Sequence, residues 1–157
     1  MRRHVIALAG AALCCTLVGC GIQMPADPEG TTERVEGGTV RVGVTANPPW
    51  VDVDGSGEPG GTEPALVSGF AEQLDAELDW SVGSEAQLMQ ALERGELDLV
   101  IGGFHDDTPW TEKAAVTRPY TESTTAEGTA KHVMIVRMGE NRFLTTLETF
   151  LFEETGS

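Results

Sequence analysis

The residues best suited to engage a small molecule are Trp50 and, further along the chain, Gly102, Gly103, Phe104, Asp107 and Trp110. Trp50 follows Asn47-Pro48-Pro49, so its ring is held rigidly at the end of an extended segment. There it either stacks on the ring or cation of a ligand or packs against the protein's own core. Gly102 and Gly103 either let a ligand approach the backbone or make a tight turn that needs no side chain. Asp107 and Thr108 have the composition of a helix cap, and Asp107 could also contact a solute from that position. Other chemistries find less support. His105-Asp106-Asp107 is a compact polar cluster, but no second histidine or cysteine stands nearby in sequence, so it reads as a solvated loop and no metal is expected. Ser84 and Ser123 lack a nucleophile elbow, and no triad or glycine-rich phosphate loop can be assembled, so neither catalysis nor a cofactor is expected. His132 opens an apolar segment and is expected at a strand edge, while Met134 and Met138 read as packing residues.

The elements that position these residues follow from hydrophobic periodicity. Val40, Val42 and Val44 alternate with Thr39, Arg41 and Gly43, the period of a strand. A short second strand is expected over 50–53, before the turn-rich run 54–61. Leu66, Val67, Phe70, Leu74 and Leu78 recur at three- and four-residue spacing behind Pro64, which predicts a helix over 64–78 whose Glu72, Asp75, Glu77 and Asp79 form a solvated face. A strand over 80–82 follows. Ser84 with Gln87 makes a capping-box pattern before a helix with Leu88, Met89 and Leu92 facing inward, and Gly95 stands at its C-terminal cap. The run LDLVI over 97–101 is a central strand covered on both faces. A short helix from Asp107 or Thr108 through Ala114, a polar loop over 121–130, a strand over 132–136 and a terminal amphipathic helix carrying Phe143, Leu147 and Phe150 complete the pattern. This alternation predicts an α/β domain with a mostly parallel sheet flanked by helices. Ligands of such sheets sit beyond the carboxyl ends of the strands, here residues 46–50 and 102–108.

The amino terminus reads differently. Arg2-Arg3, an apolar run over 5–18 and small residues leading into Cys20 have the layout of a secretory signal, and the run is too short to span a bilayer comfortably. Residues 1–19 are expected to be removed. Leu17-Val18-Gly19-Cys20 resembles the bacterial lipobox, which implies that Cys20 is lipidated and anchors the chain to the membrane. Residues 20–38, rich in Gly, Pro, Thr and Glu, then read as a flexible tether, and residues 39–157 as the domain. The 157-residue chain has 10 Lys and Arg against 25 Asp and Glu, and losing Arg2 and Arg3 leaves 8 against 25, a charge of -17. With no basic cluster to oppose that field, nucleic acid is excluded as a partner. Cys14 and Cys15 leave with the signal, so no disulfide within one mature chain is expected.

In order and spacing, TVRVGVTANPPW, the helix beginning near GTEPAL, ELDLVIGGFHDDTPW and VTRPY resemble the first lobe of extracellular solute-binding proteins of family 3. HVMIVRMGENRFLTTLETFL is similar to the stretch by which the family's chain returns to that lobe. The resemblance implies a type II periplasmic-binding-protein-like lobe, no enzymatic activity, a small polar solute as ligand, an ABC permease or another membrane protein as partner, and a place on the extracytoplasmic face of the membrane. An alternative function is that of a single-lobe scaffold or sensor for a membrane protein. Three departures accompany the resemblance. Thr62 stands where the family carries an aromatic residue, and Ala65 where it carries an acid. Trp110 stands where amino-acid-binding members have the arginine that grips the ligand carboxylate, a bidentate donor that tryptophan cannot mimic. Only residues 121–131 separate Tyr120 from the returning strand, so the second lobe is expected to be missing.

Overall fold

The computed structural model describes residues 26–54, 57–126 and 128–157. The signal expected over residues 1–19 and the anchor expected at Cys20 lie outside them. In chain order the elements are α1 (Thr31–Val35), β1 (Thr39–Val44), α2 (Thr62–Gln73), β2 (Glu77–Val82), α3 (Glu85–Glu93), β3 (Leu99–His105), β4 (Ala115–Val116), β5 (Thr121–Thr125), β6 (Gly128–Val136) and α4 (Asn141–Thr155), with a 3-10 turn at Pro109–Glu112. The sheet runs β2-β1-β3-β6-β4, and β5 also pairs with β6. β2, β1 and β3 are parallel, as expected of a βαβ series. The other half of the sheet is antiparallel, because β6 returns against β3 and carries β4 and β5.

Period-two alternation sorts the strand side chains into two cores. Val40, Val42, Val44, Leu99, Ile101, Met134 and Val136 face α2 and α4, where Val67, Phe70, Phe143, Leu147 and Phe150 cover them. Val100, Phe104, Val133 and Ile135 face the other way, beneath Leu88, Met89 and Leu92 of α3. On that second face β1 carries glycine at position 43, because Leu97 and, on α3, Leu88 come too close for a side chain there. A Cβ on Gly43 would lie 2.7 Å from the Leu97 side chain and 3.0 Å from that of Leu88.

Several expected boundaries move. α2 starts at Thr62 and ends at Gln73; Asp75 then adopts φ 52, so Leu78 belongs to β2, paired with Val40. Glu72, Asp75, Glu77 and Asp79 are exposed as expected, the last two on that strand. Residues 50–53 form isolated bridges, Asn47 with Val51 and Asp52 with Gly60, in place of a strand. The helix expected after Asp107 is only the turn Pro109–Glu112, followed by β4. Residues 121–130, expected as loop, form the β5–β6 hairpin, in which Thr121 stands opposite His132 and Thr125 opposite Gly128. Threonine's β-branch suits an extended backbone, and polarity alone does not distinguish an exposed hairpin from a loop.

Part of the expected tether is packed. α1 buries Thr31, Thr32 and Val35, and Glu140, itself buried at the head of α4, accepts the amides of Glu29 and Thr31 at 3.2 and 3.3 Å. At the amino ends of the parallel strands Asp98, only 2 % exposed, accepts Arg41 N at 3.0 Å and Arg41 Nη2 at 2.6 Å, and also pairs with Arg34. A buried carboxylate requires such partners. Here they tie α1, β1 and β3 together at the end of the sheet opposite the candidate site.

Candidate functional site

At the carboxyl ends of β1 and β3 the chain opens a crevice of about 600 Å³ lined by Asn47, Trp50, His105, Asp106, Asp107, Ser123 and His132 among others. Its floor begins at a bulge. Val100 faces Ile135 and Phe104 faces Val133, so three residues of β3 stand where β6 offers one, and the backbone of Gly102-Gly103 leaves the ladder. Two freed amides in a buried place need an acceptor. Glu63, in the first turn of α2, supplies it: its Oε2 accepts Gly102 N and Gly103 N, both at 2.8 Å, and its Oε1 accepts the Tyr120 hydroxyl at 2.6 Å. The Glu63 residue is 0 % exposed. Burial pushes its pKa above the ordinary glutamate value, and the three donated hydrogen bonds oppose that shift. Burial and the adjacent carboxylate likewise push the Tyr120 hydroxyl upward, keeping it a donor.

The same helix end holds the other wall. Thr62 N and Glu63 N donate to the carbonyls of Pro49 and Trp50 at 3.3 and 3.0 Å, and Asn47 Nδ2 donates to Gly102 O at 2.8 Å. The loop after β1 and the bulge of β3 are thus fastened to each other and to α2. Both glycines are required by packing. A Cβ on Gly102 would lie 2.2 Å from Thr45 Cγ2, and Gly103, at φ +66, would place one 2.7 Å from Trp50 Cδ1.

Trp50 does reach the crevice, with its ring stacked on His132 at 3.8 Å between centroids and 30° between planes; His105 meets His132 edge-on at 4.8 Å. His132 is not at a strand edge. It lies within β6, 1 % exposed, and shares a 2.7 Å hydrogen bond between its Nε2 and Ser123 Oγ. Burial and neighbouring His105 hold its pKa below the ordinary histidine value, with the Gly103 backbone acting in the opposite sense. The ring is therefore neutral at pH 7.

The sequence-derived residues divide. Trp50 and Asp107 line the crevice. Gly102 and Gly103 lie beneath it and give their amides to Glu63. Phe104 and Trp110 are elsewhere: Phe104 is buried in the α3-side core, and Trp110 packs against that core while its Nε1 donates to Glu85 at 3.2 Å. The cap expected of Asp107 or Thr108 is not made, for no side chain caps the turn that follows. Sequence reading did not single out Glu63 or the Ser123–His132 pair. An acid just after a glycine at a helix start was the available signal for Glu63. His132 and Ser123 come together only through hairpin register. No group of three or more His, Cys, Asp or Glu able to hold a metal is present among the described residues.

Several solved structures share this arrangement of elements. The Phe57Trp mutant of the arginine-bound form of domain 1 from TmArgBP, the arginine-binding protein of T. maritima, is 22% identical at a TM-score of 0.70, over 84% of this chain and 100% of that one. The L-cystine solute receptor of Neisseria gonorrhoeae in its unliganded open conformation is 14% identical at 0.67, over 79% of this chain and 90% of that one. The ancestral amino acid-binding protein AncCDT-1, a precursor of cyclohexadienyl dehydratase, is 13% identical at 0.65, over 82% and 93%. At such identities the likeness is one of fold. No curated protein sequence matches the chain. Among sequence families, that of the bacterial extracellular solute-binding proteins, family 3, matches residues 40–155. With strand-end crevice, lobe architecture and sequence match in agreement, the chain belongs to the bacterial extracellular solute-binding proteins of family 3.

Proposed function

We propose that this protein is the solute-binding component of an ABC-type transporter, held on the extracytoplasmic face of the membrane through a lipid on Cys20, and that it binds a small polar solute in the crevice beside Trp50 without chemistry. The observation that carries this reading is the crevice itself. An aromatic ring, an amide, hydroxyls and two carboxylates converge beyond the carboxyl ends of parallel strands, and the volume lies within the range of small-molecule sites. Family membership supports a solute role, and the lipobox-like Leu17-Val18-Gly19-Cys20 supports the anchor. No helix among the described residues is long and apolar enough to cross a membrane. Arginine-bound domain 1 from TmArgBP supports the idea that one lobe holds a solute without a second. A crevice open on one side leaves part of its ligand in water, so the affinity is expected to be modest.

Thermal unfolding of the full chain in mild detergent, against amino acids, amines, sugars and organic acids, tests the proposal. A solute that binds the native state alone raises stability by RT ln(1 + [L]/Kd), about 2.7 kcal/mol at a hundredfold excess over Kd. A dose-dependent rise with one class supports the receptor. An unresponsive, cooperative transition across the panel overturns it and favours the scaffold reading.

A further inference from the structure

We infer that the solute is an organic cation, an amine or guanidinium, whose binding gains nothing from a carboxylate of its own, with Asp106 and Asp107 as counter-charges and Trp50 as the stacking surface. This deepens the reading of the crevice as a solute site and rests on it.

The charges of the crevice carry the inference. Two carboxylates and an indole line it, and no lysine or arginine does. Nor can one readily be recruited. Among the described residues all six arginines and Lys113 are already engaged in ion pairs with carboxylates outside the crevice. Lys131 remains. It neighbours His132 on β6, so strand alternation turns its side chain to the other face of the sheet, where its register partner is Glu122. By contrast, no ion pair among the described residues involves Asp106 or Asp107, and both are exposed at the crevice.

A ligand carboxylate entering here would meet two like charges and no basic group, and like-charge juxtaposition is a strong discriminator. An ammonium or guanidinium meets the reverse. It gains charge-assisted hydrogen bonds to the two carboxylates and lies within reach of the Trp50 ring. His132 is sealed against Trp50 and Ser123 and offers no fixed cation to the crevice. The formal charge of -15 adds a long-range field that draws cations and repels anions.

Agmatine and arginine separate the two possibilities, because they share a guanidinium and differ in the carboxylate. Titration of the full chain in mild detergent, followed by calorimetry, should give agmatine a Kd at least about tenfold lower than arginine, with glutarate and glucose silent. D106N/D107N should raise the agmatine Kd about tenfold while leaving the unfolding midpoint of the free protein unchanged, since neither carboxylate supports the fold. Arginine binding as tightly as agmatine, preference for glutarate or glucose, or an unchanged agmatine Kd in D106N/D107N would each overturn the inference while leaving a solute receptor. Silence from these probes and from the whole solute panel would instead remove the receptor reading, and the inference with it.

Discussion

Replacing Glu63 by alanine tests whether one buried carboxylate holds the crevice together. The change leaves Gly102 N, Gly103 N and the Tyr120 hydroxyl without their acceptor, in a place where the wild-type residue is 0 % exposed. Each orphaned buried donor costs about 1–3 kcal/mol, so three cost at least about 3 kcal/mol. Against this stands the relief of removing a carboxylate whose raised pKa shows that its burial is unfavourable. The cavity left by the side chain offsets that relief, so the net loss is about 3 kcal/mol. For a domain of this size that lowers the unfolding midpoint by about 10 °C. Calorimetric melting of the full chain measures it. The glutamine variant keeps an acceptor for the two amides and should lose only about 1 kcal/mol. Its gap from wild type has a defined pH dependence. A raised folded pKa contributes stability that is present below the unfolded value of 4.5 and lost as pH rises through the folded value, and glutamine lacks that loss. The gap should narrow from about pH 4 towards neutrality. A Glu63→Ala midpoint within about 2 °C of wild type would refute the reasoning, because it would mean that the bulge amides do not depend on this side chain.

Three further outcomes are expected. Trp50→Ala should weaken solute binding at least about tenfold while Trp110→Ala leaves it unchanged, since only Trp50 lines the crevice; isothermal titration of both variants checks this. His132→Gln should alter the pH dependence of stability: with the folded pKa below 6.5, the unfolded chain takes up the proton first, so the wild type loses this contribution as pH falls through 6.5 towards the folded value, and the variant does not. Chemical denaturation at pH 5 and pH 7.5 gives the comparison. Asp98→Ala should cost about 2 kcal/mol by urea denaturation, a figure discounted because Arg34 and Arg41 are 40% and 31% exposed, whereas breaking the surface pair Arg94–Glu96 should leave stability unchanged.

How far the sequence discloses this molecule depends on whether a signal is local. β1, α3 with its Ser84–Gln87 box, the positive φ of Gly95 and the terminal helix are all legible, because each is set by a few adjacent residues and by one period. The end of α2 is not. Leu78 fits the helical spacing equally well, and only pairing with Val40 across the sheet places it on a strand. The β5–β6 hairpin is hidden for a related reason, since TEST and GTAK are polar on both faces and give no alternation to read. Within the site, Trp50 is legible from the prolines before it. Trp110 misleads because counting along a resemblance fixes a position in sequence, while the turn at Pro109–Glu112 swings the ring to the α3 side. Glu63 acts through a bulge that takes the two glycines out of register, a three-dimensional fact with no pattern in the chain. Residues 27–35 read as a tether from their composition, yet Glu140, more than a hundred residues away, accepts their backbone amides.

Whether a solute enters the crevice is tested most directly by the indole N–H signals of Trp50, Trp80 and Trp110 in a two-dimensional nitrogen–proton spectrum of the labelled full chain, titrated with agmatine and with arginine. The three indoles report from the crevice, from β2 and from the α3 side. Saturable movement of the Trp50 signal, with Trp80 and Trp110 still, is the expected result. Saturable movement centred on Trp110 while Trp50 stays in place would contradict the account.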